Sequence, residues 1–134
     1  MLQRGALVVV AVLALNWLGV LYRDHRTGQD AADTIHRHPD LSRAAFERQL
    51  ERLRDARLLD PDPYWDLIRV RYLLLRDRPR RALRTAEAVV REEPENLDAW
   101  VLVYQAAERV APSRSDEAIA AIARLNPLLI HDRE

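Results

Sequence analysis

Few residues in this chain stand where side-chain chemistry would need them. His36 and His38, with Asp33 and Asp40 close by, offer the ligand types of a metal clamp. Histidines two apart on a helix do not face the same way, and Pro39 interrupts any regular backbone between His38 and Asp40. His25 and His131 are isolated. Glu92 and Glu93 sit beside Pro94, at a helix end where solvation accounts for a carboxylate pair. Ser42, Ser113 and Ser115 fall at turn or cap positions. Cysteine is absent, which removes thiolate metal sites, a Cys nucleophile and disulfides. The glycines Gly5, Gly19 and Gly28 are too dispersed for a phosphate-cradling loop. These residues point away from an enzyme, and they imply no cofactor and no metal.

The strongest charge feature is the run Arg76, Arg78, Arg80, Arg81 and Arg84, set against Asp77 alone. It gathers around the start of a helix, where the macrodipole disfavours cations. That local cost suggests a use: anionic lipid headgroups, a phosphorylated or acidic partner segment, or a cell-surface polyanion. The bland alternative is a solvated face in an arginine-biased genome. All 21 basic residues are Arg and none is Lys, a bias expected of a GC-rich, bacterial source. Basic and acidic residues balance at 21 each, and no groove-reading motif is present, so nucleic acid is excluded as a partner.

The elements that position these side chains begin with a membrane segment. Residues 5 to 22, from Gly5 to Tyr22, carry no charge over 18 residues. As a helix they would span about 27 Å, close to the roughly 30 Å hydrocarbon core. Trp17 and Tyr22 suit an interfacial aromatic anchor, and Asn16 can hydrogen-bond a neighbouring helix or rest at the interface. A cleaved signal peptide lacks its small-residue cleavage site here, and a buried core helix apolar on every side is out of scale for so small a domain. The reading is an uncleaved single-pass anchor over residues 1–22. Arg23, Arg26 and Arg37 follow the segment and Arg4 precedes it, which tilts the count towards a cytoplasmic domain. A short N-terminus before one apolar run instead resembles a signal-anchor, and the extracytoplasmic side is the weakly favoured location.

Residues 23–40 form a polar linker or a helical extension broken at Gly28 and Pro39. From Leu41 the pattern is helical, with Asp40 as N-cap and Ala45, Phe46, Gln49, Leu50, Leu53 and Ala56 on one stripe. A second helix follows Asp62 and Pro63 and carries Tyr64, Trp65, Leu67, Ile68, Val70, Tyr72 and Leu73 to Leu75. A third spans Pro79 to Glu92, with Ala82, Leu83, Ala86, Val89 and Val90 inward. A fourth runs from Leu97 to Val110, with Trp100, Val101, Val103, Tyr104 and Ala107 inward. A fifth is capped by Ser115 or Asp116 and turns Ile119, Ile122 and Leu125 inward. The tail, 128–134, is positioned to dock Leu128, Leu129 and Ile130 on the last groove.

Pro61, Pro94 and Pro127 stand 33 residues apart, each closing a helical stretch, which is the period of a helical-repeat array. On these residues the chain resembles a tetratricopeptide (TPR) repeat protein. Ala82 lies where that family has the small residue opening its second helix, and Val89 and Pro94 complete the pattern. Ala86 stands where an aromatic is preferred, and Tyr104 where glycine is common. Trp100, Val101, Val103 and Ala107 begin the next unit, and Ala118, Ile122 and Leu125 continue it to Pro127. Leu41 to Pro61 matches only the second helix of a preceding unit. The resemblance implies a TPR-like α-solenoid of about five helices over 41–127, and with the transmembrane helix read from the apolar run the expected fold is all-α.

It also implies a protein that holds another molecule. The expected function is a membrane-tethered scaffold or accessory subunit that docks a protein partner in a bacterial membrane or envelope complex. Candidate contacts are the five arginines and Trp65, Tyr72, Trp100 and Tyr104. The alternative is an anion or lipid-headgroup module built on Arg76–Arg84.

Overall fold

The computed structural model describes residues 26–38, 40–57 and 62–129, and among them every regular element is helical. The anchor residues Asn16, Trp17 and Tyr22 lie outside the described residues, as do Pro61 and the end of the tail. No helix among the described residues is long and apolar enough to cross a membrane. The chain divides into two compact units, Met1–Asp62 and Pro63–Glu134. The Leu41 helix therefore groups with the N-terminal unit, and the boundary falls where Pro61 and Pro63 both lack a backbone donor.

In the first unit, α1 is helical over residues 26–37 and α2 spans Arg43–Arg57. Of the polar stretch 23–40, residues 26–37 are helical, and α1 runs through Gly28 without a break. Gly28, Ala31 and Ile35 are its buried positions, a spacing that lines one helix face. Ser42, not Asp40, caps α2: its Oγ accepts the Ala45 N–H at 3.3 Å. Phe46, Leu50, Leu53 and Ala56 are buried, while Ala45 and Gln49 at the edge of the stripe are half-buried.

The second unit holds α3 (Tyr64–Leu75), α4 (Pro79–Glu92), α5 (Leu97–Ala107) and α6 (Pro112–Leu125), closed by a 3₁₀ turn at Pro127–Leu129. The links are three or four residues long, so successive helices fold back on one another. Each packs on the next, and α3 also packs on α5. The unit repeats internally. From α3 to α5 the first residue moves 33 positions, from Tyr64 to Leu97. From α4 to α6 the start moves 33, from Pro79 to Pro112, and so does the end, from Glu92 to Leu125.

The same hydrogen bonds recur at that interval. The Arg78 carbonyl accepts from Arg81 and Ala82 at 3.1 and 3.0 Å, and the Ala111 carbonyl accepts from Arg114 and Ser115 at 2.9 and 3.2 Å. At the other end, Glu93 N–H donates to Val89 O and Asn126 N–H to Ile122 O, both at 2.8 Å. Burial repeats as well: Leu67 and Trp100, Val70 and Val103, Leu73 and Ala106, Ala82 and Ser115.

Several boundaries differ from the sequence reading. Helix α6 opens at Pro112, because proline at the first helical position has no N–H to lose. Ser115 is consequently a buried helix residue, not a cap, and Ser113 lies in the first turn. Ala118 and Ala121 share the inner face with Ser115, whereas Ile119 is 46% exposed and Ile122 and Leu125 are half-buried. Helix α5 stops at Ala107, and Glu108 to Val110 form the turn. Pro63 is the N-cap of α3 and not its first residue. Leu128 is 78% exposed and does not dock.

The repeat makes Ala82 and Ser115 equivalent sites of close helix approach. Ala82→Leu and Ser115→Leu should each cost about 1–3 kcal/mol by overpacking, while Ala120→Leu, on the exposed face of α6, should stay within about 0.5 kcal/mol. Chemical denaturation of the full chain in mild detergent measures all three. A neutral Ser115→Leu would break the equivalence.

Candidate functional site

The arginine run is built by the reversal between α3 and α4. Leu73 O accepts from Arg78 N–H at 2.8 Å and Leu74 O from Asp77 N–H at 3.0 Å, the paired bonds of a Schellman ending. That ending requires a left-handed residue, and Asp77 supplies it at φ 53°. Pro79 then starts α4, so the chain turns back within three residues. Three cationic positions, Arg78, Arg80 and Arg81, thereby crowd one corner together with Asp77, Pro79 and Val110 around a cavity of about 370 Å³. A second cavity of about 240 Å³ adjoins it, between Leu74, Asp77 and Pro79 on one side and Gln105, Glu108 and Arg109 on the other. Arg109 Nη1 donates to Asp77 Oδ1 at 3.1 Å, tying the end of α5 to the turn. Both side chains are well exposed, so this pair adds at most about 1 kcal/mol.

Arg84 does not belong to that corner. With Arg81 it faces α3, where Asp66 and Arg69 complete a separate groove of about 290 Å³ that Thr85 and Ala88 floor. Arg69 Nη1 donates to Asp66 Oδ1 at 2.5 Å, and both side chains are less than a fifth exposed. Arg76 is half-buried and lines neither cavity nor groove. The five arginines are thus two groups that meet at Arg81, with Arg76 apart.

The aromatic candidates separate by depth. Trp65 is 1% exposed and meets Tyr64 edge to face, with ring centroids 4.9 Å apart. Trp100 is 8% exposed, and its Nε1 donates to Pro94 O at 2.8 Å. Beside it, Asn96 Oδ1 accepts from Ala99 N–H at 3.0 Å and its Nδ2 donates to Glu93 Oε2 at 2.8 Å, which caps α5. Both tryptophans serve the interior and offer a partner almost no ring surface. Tyr72 and Tyr104 are half-buried and keep part of theirs accessible.

Two interhelical contacts were not read from the sequence. One is Arg69 beside Arg81 and Arg84. The other is Arg114 on α6, whose Nε donates to Glu87 Oε1 on α4 at 2.8 Å while Nη1 pairs with Glu117. The hydrogen bond to Glu87, against some desolvation, raises the Arg114 pKa above its ordinary value, so this tie keeps its cation at any physiological pH. Both contacts join residues on different helices, and only the helix-helix register reveals them; the 33-residue spacing from Pro79 to Pro112 was the available signal for that register.

Among the described residues no group of three or more His, Asp or Glu is placed to hold a metal ion. His36 lies on exposed α1 surface and His38 just past its end. No protein-family model matches the chain, and neither a curated protein nor a solved structure matches it.

The turn geometry sets a direct expectation. Asp77→Gly removes the left-handed penalty of a residue with a Cβ and loses only the exposed pair with Arg109. The variant should gain about 0.5 kcal/mol, and Asp77→Val should lose more than about 1 kcal/mol. Thermal melts of the two against the parent chain check the sign of each change.

Proposed function

We propose that this chain is a membrane-tethered helical-repeat adaptor of the tetratricopeptide kind. In this reading residues 1–22 anchor it, and the stack from α3 to α6 docks a protein partner in a bacterial membrane or envelope complex. The observation that carries the reading is the 33-residue recurrence of helix starts, helix ends and buried positions in the second unit. Hairpins that repeat at this length bury their apolar faces on one another and leave grooves between helices, and such stacks serve binding far more than catalysis. The uncharged 18-residue stretch from Gly5 to Tyr22 supports the tether. A tether holds the stack near its partner at high effective concentration, so a modest contact surface suffices. The repeat domain is assigned, on the weaker argument of a short N-terminus before one apolar run, to the extracytoplasmic side.

The half-buried rings Tyr72 and Tyr104 are the aromatic contacts this reading retains. A photo-crosslinking residue placed at either position should give a discrete adduct in membranes. Removing residues 1–22 should release the chain to the soluble fraction and reduce the adduct about tenfold or more. A folded chain that yields no discrete adduct at either position would defeat the proposal. Protease protection of the domain in spheroplasts fixes its side of the membrane.

A further inference from the structure

We infer that the groove between α3 and α4 is a phosphate-monoester site formed by Arg69, Arg81 and Arg84. Arg81 and Arg84 are three apart on α4 and share a face, and Arg69 approaches them from α3 across the hairpin. Among the described residues that line the groove, Asp66 is the one carboxylate. It is engaged by Arg69 Nη1 at 2.5 Å, which fixes that guanidinium and leaves three cations against one anion. Arg69 is less than a fifth exposed, so its guanidinium is partly desolvated and its charge is less screened than that of a fully solvated arginine.

The chemistry of the donors selects the ligand. Each guanidinium offers a planar fork of donors, so Arg81 can add a ligand oxygen to the partners it already has. A carboxylate offers two oxygens and one charge, and Asp66 already presents that chemistry to Arg69 Nη1. A phosphate monoester has three terminal oxygens and close to two negative charges, which matches three converging cations. Thr85 donates its hydroxyl to Arg81 O at 3.2 Å, which holds the α4 side of the groove in place. At about 290 Å³ the groove is at the small end of ligand clefts, suited to a phosphate group rather than to a larger body. Arg84 is exposed, so the group can enter from solvent or from a lipid surface.

Arg78 and Arg80 line the neighbouring cavity and not this one, which gives an internal control. The full chain in mild detergent is titrated calorimetrically with phenyl phosphate, and with short-chain phosphatidic acid, a monoester, or short-chain phosphatidylglycerol, a diester. The site predicts saturable phenyl phosphate binding, weakened about tenfold by Arg84→Gln and unchanged by Arg80→Gln. Arg69→Gln repeats the loss through the other helix, and an unaltered melting profile shows that either variant still folds. Phosphatidic acid binding that needs Arg84 and is tighter than that of both phenyl phosphate and phosphatidylglycerol identifies a lipid source; phenyl phosphate binding without that preference identifies a phosphate on a soluble molecule. Equal losses from Arg80→Gln and Arg84→Gln, or binding of neither monoester, overturn the assignment.

Discussion

The ends of α4 and α6 are held by one device used twice. Pro79 and Pro112 start the helices at positions where an N–H would have had no partner. Glu93 and Asn126 close them with the same 2.8 Å bond to the carbonyl four residues back, and Pro94 and Pro127 forbid continuation. Two helices of equal length, 14 residues each, result. Equal length is what lets Ala82 and Ser115 fall at matching depths, where a larger side chain would push the neighbouring helix away. The packing of the unit follows from where its helices are allowed to begin and stop.

That constraint also decides where the charges go. The α3–α4 reversal is short because Asp77 accepts a left-handed conformation and Pro79 begins α4 two residues later. One turn into α4, Arg81 points between the corner and the groove, and Arg84 points only into the groove. A run that reads as a single basic patch along the chain is therefore split by a helical period of 3.6 residues. Arg69 joins the second group because α3 and α4 lie side by side, although 12 positions separate it from Arg81. In the second hairpin the positions 33 residues on are Leu102, Arg114 and Glu117, and Arg114 is paired with Glu87 and Glu117 within the stack.

Helix α4 was legible in full from the sequence, its limits and its five buried residues together, because its apolar stripe is clean and its ends are marked by prolines. The α6 start was not, since Ala111-Pro112-Ser113 reads as a loop unless Pro112 is set against Pro79. Ser115 was missed for the same reason, and because a serine near a helix start ordinarily caps. Trp100 was read as inward and is buried, but the depth of Trp65 was beyond reach. Helix α3 is apolar on more than one face, so periodicity cannot say which side meets α5. Ser42 against Asp40 is a subtler case, two residues apart, in which both types cap well and only the register of α2 decides.

The two hairpins differ in what fills them. Leu67, Leu73, Leu83, Val89 and Val90 are buried from both helices of the first, whereas in the second Trp100, Leu102 and Val103 come from α5 alone and α6 buries only Ser115, Ala118 and Ala121. Alanine allows closer helices but contributes little apolar area, at about 25 cal/mol per Å² buried. A unit of this size hides only about 60% of its unfolded surface, so it has little stability to spare. A ligand that binds the folded groove adds directly to that margin, by about 2.7 kcal/mol at a hundred times its dissociation constant. Arg69 and Arg84 would then couple α3 to α4 through the ligand as Arg114 and Glu87 couple α4 to α6 through a direct bond. The first hairpin would then gain a ligand-mediated tie of the same kind as the direct bond between α4 and α6.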